Sequence, residues 1–290
     1  MDITRLLQRP EGVSFFLFGP RGVGKSTWLA KTLGQAKVID LLEFDTFLLL
    51  SRNPGHLEKL VAGVKAGGWV VIDEVQKVPP ILDEVHRLME KRKLKFALTG
   101  SSARKLKRGG ANLLGGRALT LSLEGFSARE LGPAFDIARM CRIGTLPLVN
   151  NLPEEAPRLL SSYVQTYLRE EIQAEGLVRK LEPFVRFLEI AGLLNGQVIN
   201  ADSIASQSHT PRSNIDVYLS ILIDTLLAHW LPAYRPRVKV REGAKPKLYW
   251  FDPAVAAAAA GAYGQEDELT RGVALETCVF HELRGYNSTQ

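Results

Sequence analysis

The sequence predicts an α/β fold for the first part of the chain, with a parallel sheet that carries helices on both faces. Two observations favour this class. Short apolar runs alternate with helix-like segments from residue 13 to residue 123, as expected for parallel strands that are joined by helical crossovers. The polar motifs described below also directly follow apolar runs, where parallel strands end and where ligands bind in such folds.

A glycine-rich loop separates the first predicted strand, residues 13–18, from a predicted helix at residues 26–33. Its pattern is glycine, four residues, glycine, lysine and a hydroxyl residue, which is the phosphate-binding P-loop. Glycines let backbone N–H groups converge on phosphate oxygens, the lysine adds a charge-assisted hydrogen bond, and the serine hydroxyl suits Mg²⁺. The predicted nucleotide-binding residues are Gly19, Pro20, Arg21, Gly22, Val23, Gly24, Lys25, Ser26 and Thr27. The sequence therefore predicts a P-loop NTPase fold that binds a nucleoside triphosphate with Mg²⁺.

The next predicted elements are a strand at residues 37–42 and helices near residues 57–65 and 81–92, on either side of an apolar run that ends in two acids. Asp73 is predicted to hold Mg²⁺ together with Ser26, and Glu74 to orient and deprotonate an attacking water. An acidic pair after four apolar residues is by itself a weak signal, since strands often end in polar turns. The upstream P-loop makes the catalytic interpretation the stronger one.

A third predicted strand, residues 95–99, ends in small hydroxyl residues. If it lies between the first strand and the acidic strand, Ser101 is a sensor beside the γ-phosphate. The equally favoured alternative is that Thr99, Ser101 and Ser102 cap a helix suggested at residues 103–106. Downstream, Arg117 follows a glycine pair and precedes strand-like residues 118–123. It could reach a phosphate in its own or a neighbouring subunit, although a surface arginine is the simpler interpretation.

These residues resemble the prokaryotic AAA-type ATPases whose C-terminal half is a domain of unknown function that contains a winged helix. The resemblance covers most of the chain and includes the P-loop and the runs at residues 73–76, 98–102, 114–117 and 247–252. It implies that the chain hydrolyses ATP with Mg²⁺. The residues to which it assigns a role are Lys25, Ser26, Asp73, Glu74, Ser101 and, less securely, Arg117, whose action in cis or in trans the family does not define.

The second half of the chain changes to helical periodicity from about residue 154. Helices near residues 184–194 and 201–205 precede Thr210 and Pro211, which suit the start of a further helix. Residues 226–234 and 247–251 can pair as a hairpin, and together these elements form a winged-helix pattern. The predicted domains are a P-loop ATPase domain at 1–150, a helical connector at 151–182, a winged-helix domain at 183–252 and a short C-terminal segment at 253–290.

The winged-helix pattern leaves DNA and protein open as partners. Arg212 and Asn214 stand at the start of the predicted recognition helix, and the wing carries Arg237, Lys239 and Arg241, as expected for a DNA contact. Winged helices also contact proteins, however, and a net charge of +6 is modest. Beyond residue 252 the resemblance is incomplete. Glu276 and Glu282 alone do not make the acidic site of the family's nuclease-like region, so no nuclease activity is predicted.

Composition predicts a folded, multidomain protein of the reducing cytoplasm. Of the 290 residues, 46% are hydrophobic and 23% are charged, which argues against disorder. Cys141 and Cys278 are far apart in sequence and indicate neither a disulfide framework nor zinc. No apolar run reaches the ~18 residues of a membrane-spanning helix, and the first residues do not form a signal peptide.

The sequence favours a Mg²⁺-dependent ATPase whose hydrolysis is coupled to the winged helix. The alternative is a slow nucleotide-dependent switch or a DNA-binding regulator with little turnover. A small-molecule kinase is disfavoured because Glu74 suits the activation of water. GTP is disfavoured because the chain has no Asn-Lys-x-Asp run to read guanine. An arginine supplied between subunits would also require a homo-oligomer.

Overall fold

The computed structural model describes residues 3–101, 114–168, 181–234, 245–265 and 267–289. The chain divides into two compact units, the first mainly Arg5–Leu123 and the second mainly Glu124–Asn287. Among the described residues, none of the helices combines the length and the apolar character needed to cross a bilayer. The predicted cytoplasmic location stays a prediction.

The first unit is built on a parallel sheet, which confirms the predicted α/β class. Its described strands are β1 (Ser14–Phe18), β2 (Lys37–Asp40), β3 (Trp69–Asp73), β4 (Lys95–Gly100) and β5 (Ala118–Ser122). Their order across the sheet is β2-β3-β4-β1-β5, and every paired neighbour is parallel. β4 therefore lies between β1 and β3, as the sensor interpretation of Ser101 requires.

Helices connect successive strands, and the chain first moves toward one edge of the sheet and then back. The described helices are α1 (Lys25–Thr32), α2 (Phe44–Arg52), α3 (Leu57–Leu60) and α4 (Ile81–Arg92). The chain moves from β1 to the far edge at β2 and then returns through β3 to β4. Because crossovers between parallel strands are right-handed, this reversal places α1 on one face of the sheet and α4 on the other.

The helix predicted at residues 57–65 is shorter in the structure, because α3 ends at Leu60. The side chain of Arg92, at the end of α4, donates hydrogen bonds to the carbonyl oxygens of Val61, Ala62 and Val64 at 3.1, 3.0 and 2.8 Å. These tertiary hydrogen bonds satisfy carbonyl oxygens of the segment that follows α3, where the chain has left the helix.

The second unit is mainly helical and contains one small antiparallel sheet. Its described helices are α5 (Ala128–Leu131), α6 (Ile137–Ile143), α7 (Pro147–Asn151), α8 (Ala156–Ser162), α9 (Leu181–Leu193), α10 (Ala201–Gln207), α11 (Arg212–Asp224), α12 (Pro253–Ala259) and α13 (Glu268–Thr289). Its strands are β6 (Gln197–Val198), β7 (Ala228–Leu231) and β8 (Lys247–Trp250).

The hairpin predicted in the second half is present, since β7 and β8 pair antiparallel with His229 opposite Tyr249. β6 pairs with the other edge of β8, which gives the order β6-β8-β7. Three helices and three strands thus follow one another as in the predicted winged helix. The wing tip, residues 235–244, lies outside the described residues, and the winged-helix assignment stays a prediction.

The first unit ends at Leu123, earlier than the boundary that the sequence placed near residue 150. Glu124 and Ala128 are hydrogen-bonded to Arg284 and Glu282 of α13, and a buried carboxylate holds the residues near 145 in the second unit. Asp252, the N-cap of α12, accepts hydrogen bonds from Thr145 N at 2.6 Å, from Thr145 Oγ1 at 2.9 Å and from Val255 N at 2.9 Å. These bonds tie the turn after α6 to the start of α12. The four-part division of the chain stays a prediction.

Residues 253–259, which form α12, are largely buried and pack against α9 within the second unit. A Cβ atom built on Gly192 of α9 would lie 2.7 Å from the carbonyl oxygen of Ala256 in α12. Only glycine permits so close an approach of the two helices. Asp252, the last residue of the family-like run at residues 247–252, has a structural role as the N-cap of α12.

A buried histidine makes the stability of the second unit sensitive to acid. His229 is 7% exposed, and among the described residues its Nε2 atom has no hydrogen-bond partner. Burial, followed by the charge of Arg284, lowers the pKa of His229 from 6.5 to about 3. In the unfolded chain His229 binds a proton below about pH 6.5, whereas in the folded chain it does so only near pH 3. Stability is therefore lost as the pH falls through this window.

We expect His229 to lower the free energy of unfolding by about 2–3 kcal/mol between pH 7 and pH 4.5, because each unit below pH 6.5 contributes about 1.36 kcal/mol. Urea unfolding at the two pH values measures this loss. His229→Gln should remove it, whereas His209→Asn, at an exposed position of the same unit, should keep it. An identical pH dependence in His229→Gln and wild type would contradict the prediction.

Candidate functional site

The P-loop lies where the sequence placed it, between β1 and α1. Gly22 and Gly24 have φ values of 80° and 93°, in the left-handed region that favours glycine. Gly24 is the N-cap of α1, so the loop leads directly into a helix N-terminus, which attracts anions. These backbone conformations are those that an anion-binding loop requires.

Lys25 is buried within this loop and contacts its main chain. The Nζ atom donates hydrogen bonds to the carbonyl oxygens of Gly19 at 2.7 Å and Pro20 at 3.1 Å. A Cβ atom on Gly19 would lie only 2.2 Å from the carbonyl oxygen of Leu123, so the loop also packs against the chain that leaves β5. The ammonium group is therefore held among the residues predicted to bind phosphate.

The acid at the end of β3 meets the P-loop serine. Ser26 Oγ donates a hydrogen bond to Asp73 Oδ2 at 2.8 Å. Asp73 Oδ1 accepts hydrogen bonds from Thr99 Oγ1 and from the backbone N–H of Glu74 at 3.1 Å. The hydroxyl and carboxylate oxygens of Ser26 and Asp73 are the hard ligands that Mg²⁺ prefers. The residues at this position therefore fit the predicted metal.

Glu74 has an unusual main chain for a residue that is not glycine. Its φ and ψ angles are 58° and 45°, in the left-handed region, and such conformations cost on the order of 1–3 kcal/mol. Its N–H also donates to Thr99 Oγ1 at 3.2 Å. The backbone of Glu74 is thus fixed by the ends of β3 and β4, and backbone strain of this kind concentrates at functional sites.

Ser101 is fully buried at the end of β4 and joins the same group of side chains. Its Oγ accepts a hydrogen bond from Gln76 Nε2 at 3.2 Å, and the same nitrogen donates to Glu74 Oε2. The structure therefore brings Ser101 and Glu74 together through one amide. Ser102 and the helix suggested at residues 103–106 lie outside the described residues, so the capping alternative stays a prediction.

Arg117 lies near the end of the sheet where the parallel strands begin, whereas the P-loop of its own chain lies where they finish. It precedes β5, and the parallel register pairs Ala118 with Ser14, the first residue of β1. The P-loop follows the last residue of β1. The Nε of Arg117 instead donates to Glu90 Oε1 at 2.7 Å, and this contact lowers the pKa of Glu90. The cis interpretation of Arg117 is not supported, and action in trans stays a prediction.

The predicted DNA-contacting residues are only partly described. Arg212 Nε donates to Asp202 Oδ1 at 2.9 Å, and Arg212 Nη1 donates to Asp216. Asn214 is half-buried in the first turn of α11. Arg237, Lys239 and Arg241 lie outside the described residues. At the start of α11, therefore, the cation predicted to reach DNA is already paired with two carboxylates.

Sequence reasoning missed two polar residues of the site. Thr99 was considered only as a cap, whereas it contacts both Asp73 and Glu74. Gln76 was noted only as part of a family run and had no role. For Thr99 the available signal was a hydroxyl at the end of an apolar strand. For Gln76 no pattern along the chain could reveal its contact with Ser101.

Comparisons with known proteins match both parts of the chain. Residues 13–132 match a family described as an AAA domain, and residues 134–266 match a family described as a domain of unknown function (DUF8612). No curated protein matches the chain. Among solved structures, the chain is similar to the Aeropyrum pernix Orc1 protein in complex with DNA, with 14% identity, a TM-score of 0.30, and coverage of 93% of this chain and 87% of that chain. Because this TM-score is low, the match says nothing about DNA binding by this chain.

Proposed function

We propose that this chain, whose residues 13–132 match an AAA domain, binds ATP with Mg²⁺ and hydrolyses the bond to the γ-phosphate. The observation that carries this proposal is the contact of Ser26 Oγ with Asp73 Oδ2 at 2.8 Å. It joins the P-loop to the acidic strand end with two oxygen ligands that suit Mg²⁺. A P-loop without this second component would support nucleotide binding alone.

In the proposed phosphoryl transfer, each residue of the site has a separate role. The amides of the P-loop and the Lys25 ammonium bind the phosphates. Ser26 and Asp73 would hold Mg²⁺, which when bound neutralises charge on the phosphate oxygens. Glu74 accepts a proton from the attacking water as general base. Thr99 fixes the Asp73 carboxylate and the main chain of Glu74.

The proposal extends to the second unit as a winged-helix module that responds to the nucleotide. The exposed start of α11 favours a protein over DNA as its partner, because Arg212 is neutralised by Asp202 and Asp216. A DNA contact would then depend on the wing cations Arg237, Lys239 and Arg241. An action of Arg117 on a neighbouring subunit of a homo-oligomer would require it to leave Glu90, with which it is paired at 2.7 Å.

Phosphate release from ATP tests the proposed function. We expect release that requires Mg²⁺ and stops when the metal is removed by EDTA, because the Ser26 and Asp73 oxygens act on the phosphates through the metal. The same assay with duplex DNA addresses the second candidate, a DNA-binding regulator. Stimulation by DNA would favour that candidate, and a rate that rises faster than protein concentration would favour an arginine supplied in trans. ATP binding without phosphate release would support the slow switch instead.

A further inference from the structure

Gln76 is almost fully buried, with 7% exposure, in the single 3₁₀ turn Val75–Lys77 that follows Glu74. Its Nε2 atom donates hydrogen bonds to Glu74 Oε2 and to Ser101 Oγ. The opposite orientation of the amide would place its oxygen against the Glu74 carboxylate, and an acceptor next to an acceptor is unfavourable. Glu74 therefore fixes the orientation of the Gln76 amide.

The other end of this amide is not explained by packing. Gln76 Oε1 is buried and has no hydrogen-bond partner among the residues that the structure describes. A Cβ atom on Gly100 would lie 2.5 Å from this oxygen, so a glycine is needed where the amide sits. A buried acceptor without a partner is unfavourable, and an apolar side chain of the same length would fill the space without that penalty. The contribution of Gln76 must therefore come from its donor nitrogen.

We propose that Gln76 is a positioning residue, which holds the Glu74 carboxylate and links it to Ser101. The inference rests on the proposed function, because it concerns the base of the proposed hydrolysis. The main chain of Glu74 is held by Asp73 and Thr99, but its side chain keeps several rotatable bonds. The hydrogen bond from Gln76 restricts them, and a general base is effective only when it is held within reach of the proton that it abstracts.

Through Ser101, Gln76 also connects Glu74 to β1, the strand that precedes the P-loop. Ser101 directly follows β4, which pairs with β1 so that Gly100 lies opposite Phe18, the residue before the P-loop. A displacement of Ser101 would change the hydrogen bond at Gln76 Nε2 and, through the same nitrogen, the position of Glu74. One amide thus connects the predicted sensor with the predicted base.

The test compares the wild type with Gln76→Met, which keeps the length of the side chain and removes the donor. We expect kcat for phosphate release to fall roughly 10- to 100-fold, the range for loss of a hydrogen bond to a charged group. KM for ATP should stay nearly unchanged, because the side-chain hydrogen bonds of Gln76 within the described part of the chain go to Glu74 and Ser101 and not to the P-loop. Gln35→Met, at an exposed position of the same unit, is the matched control and should keep wild-type kcat.

A double-variant cycle separates positioning from a general effect on folding. If Gln76 acts through Glu74, then Gln76→Met should cause no further loss of rate in a Glu74→Gln background. Wild-type kcat in Gln76→Met would overturn the inference. So would a loss of equal size in both backgrounds, because Gln76 would then act independently of Glu74.

If the wild type releases no phosphate, that result counts against the proposed function. The inference about Gln76 can then still be decided by a measurement that does not need turnover. The side-chain amide protons of Gln76 can be assigned by NMR from their absence in Gln76→Met. We expect them to be protected from hydrogen exchange and to lose protection in both Glu74→Ala and Ser101→Ala. Rapid exchange in the wild type, or protection unchanged in both variants, would overturn the inference.

Discussion

Lys25→Ala is expected to weaken the binding of ATP by roughly 10- to 150-fold, the range for loss of a charge-assisted hydrogen bond. The Lys25 ammonium is buried in the P-loop and held by the carbonyl oxygens of Gly19 and Pro20, among the residues predicted to bind phosphate. Its removal leaves the P-loop amides as the main phosphate contacts. Isothermal titration with ATP and Mg²⁺ measures the loss, and phosphate release should fall with it.

The control for Lys25→Ala is Lys59→Ala, which removes the same charge from an exposed position in α3 of the same unit. This variant should bind ATP as tightly as the wild type. Thermal unfolding of both variants checks that the P-loop variant still folds, because removal of Lys25 leaves two carbonyl oxygens to be solvated. A Lys25→Ala protein that is folded and binds ATP with wild-type affinity would remove the P-loop from the proposed site.

Glu74→Gln is expected to keep ATP binding and to lower kcat for phosphate release by about 10²- to 10⁴-fold, the usual contribution of a general base. The substitution suits this position well. Glutamine has the same length as glutamate and retains an oxygen that can accept the hydrogen bond from Gln76. The left-handed backbone of residue 74 is no less accessible to glutamine. The change therefore removes the basic carboxylate and little else.

Glu11→Gln, at an exposed position of the first unit, is the matched control and should leave both ATP binding and kcat unchanged. Titration calorimetry of Glu74→Gln separates the loss of chemistry from a loss of affinity. Wild-type kcat in Glu74→Gln would exclude Glu74 as the base. An equal loss of affinity and of rate would instead assign Glu74 to nucleotide binding.

The parts of the fold that were predicted correctly depend on residues that are close together in the sequence. The parallel strands β1, β3 and β4 are continuous apolar runs, and the helix predicted at residues 81–92 is α4. Helix α2 was not predicted, because its run of leucines at residues 48–50 fits a buried strand as well as a helix. The shortened α3 could not be predicted either, since the carbonyl groups that follow it are bound by Arg92, which is distant in sequence.

In the candidate site, too, features set by residues near in sequence could be predicted, and features set by distant residues could not. The position of the P-loop could be predicted because its residue types stand at fixed offsets in one segment, and its nucleotide contacts stay a prediction. The sequence left open whether Arg117 acts in cis or in trans, because only the strand register shows that it lies near the start of β1 and not at the end of β1 that carries the P-loop. The paired state of Arg212 was also missed, since one of its two carboxylates, Asp202, belongs to a different helix.

The sequence by itself determined the glycine-rich loop, the acids at the end of β3 and the parallel α/β class. Each of these is encoded by residue types at short, fixed spacing, and local backbone conformation follows from them. Only the tertiary structure decided which distant residues share one site. Ser26 and Asp73 are 47 residues apart, and Gln76 and Ser101 are 25 apart. They meet because β4 lies between β1 and β3, and strand order depends on the packing of the whole sheet rather than on any one segment.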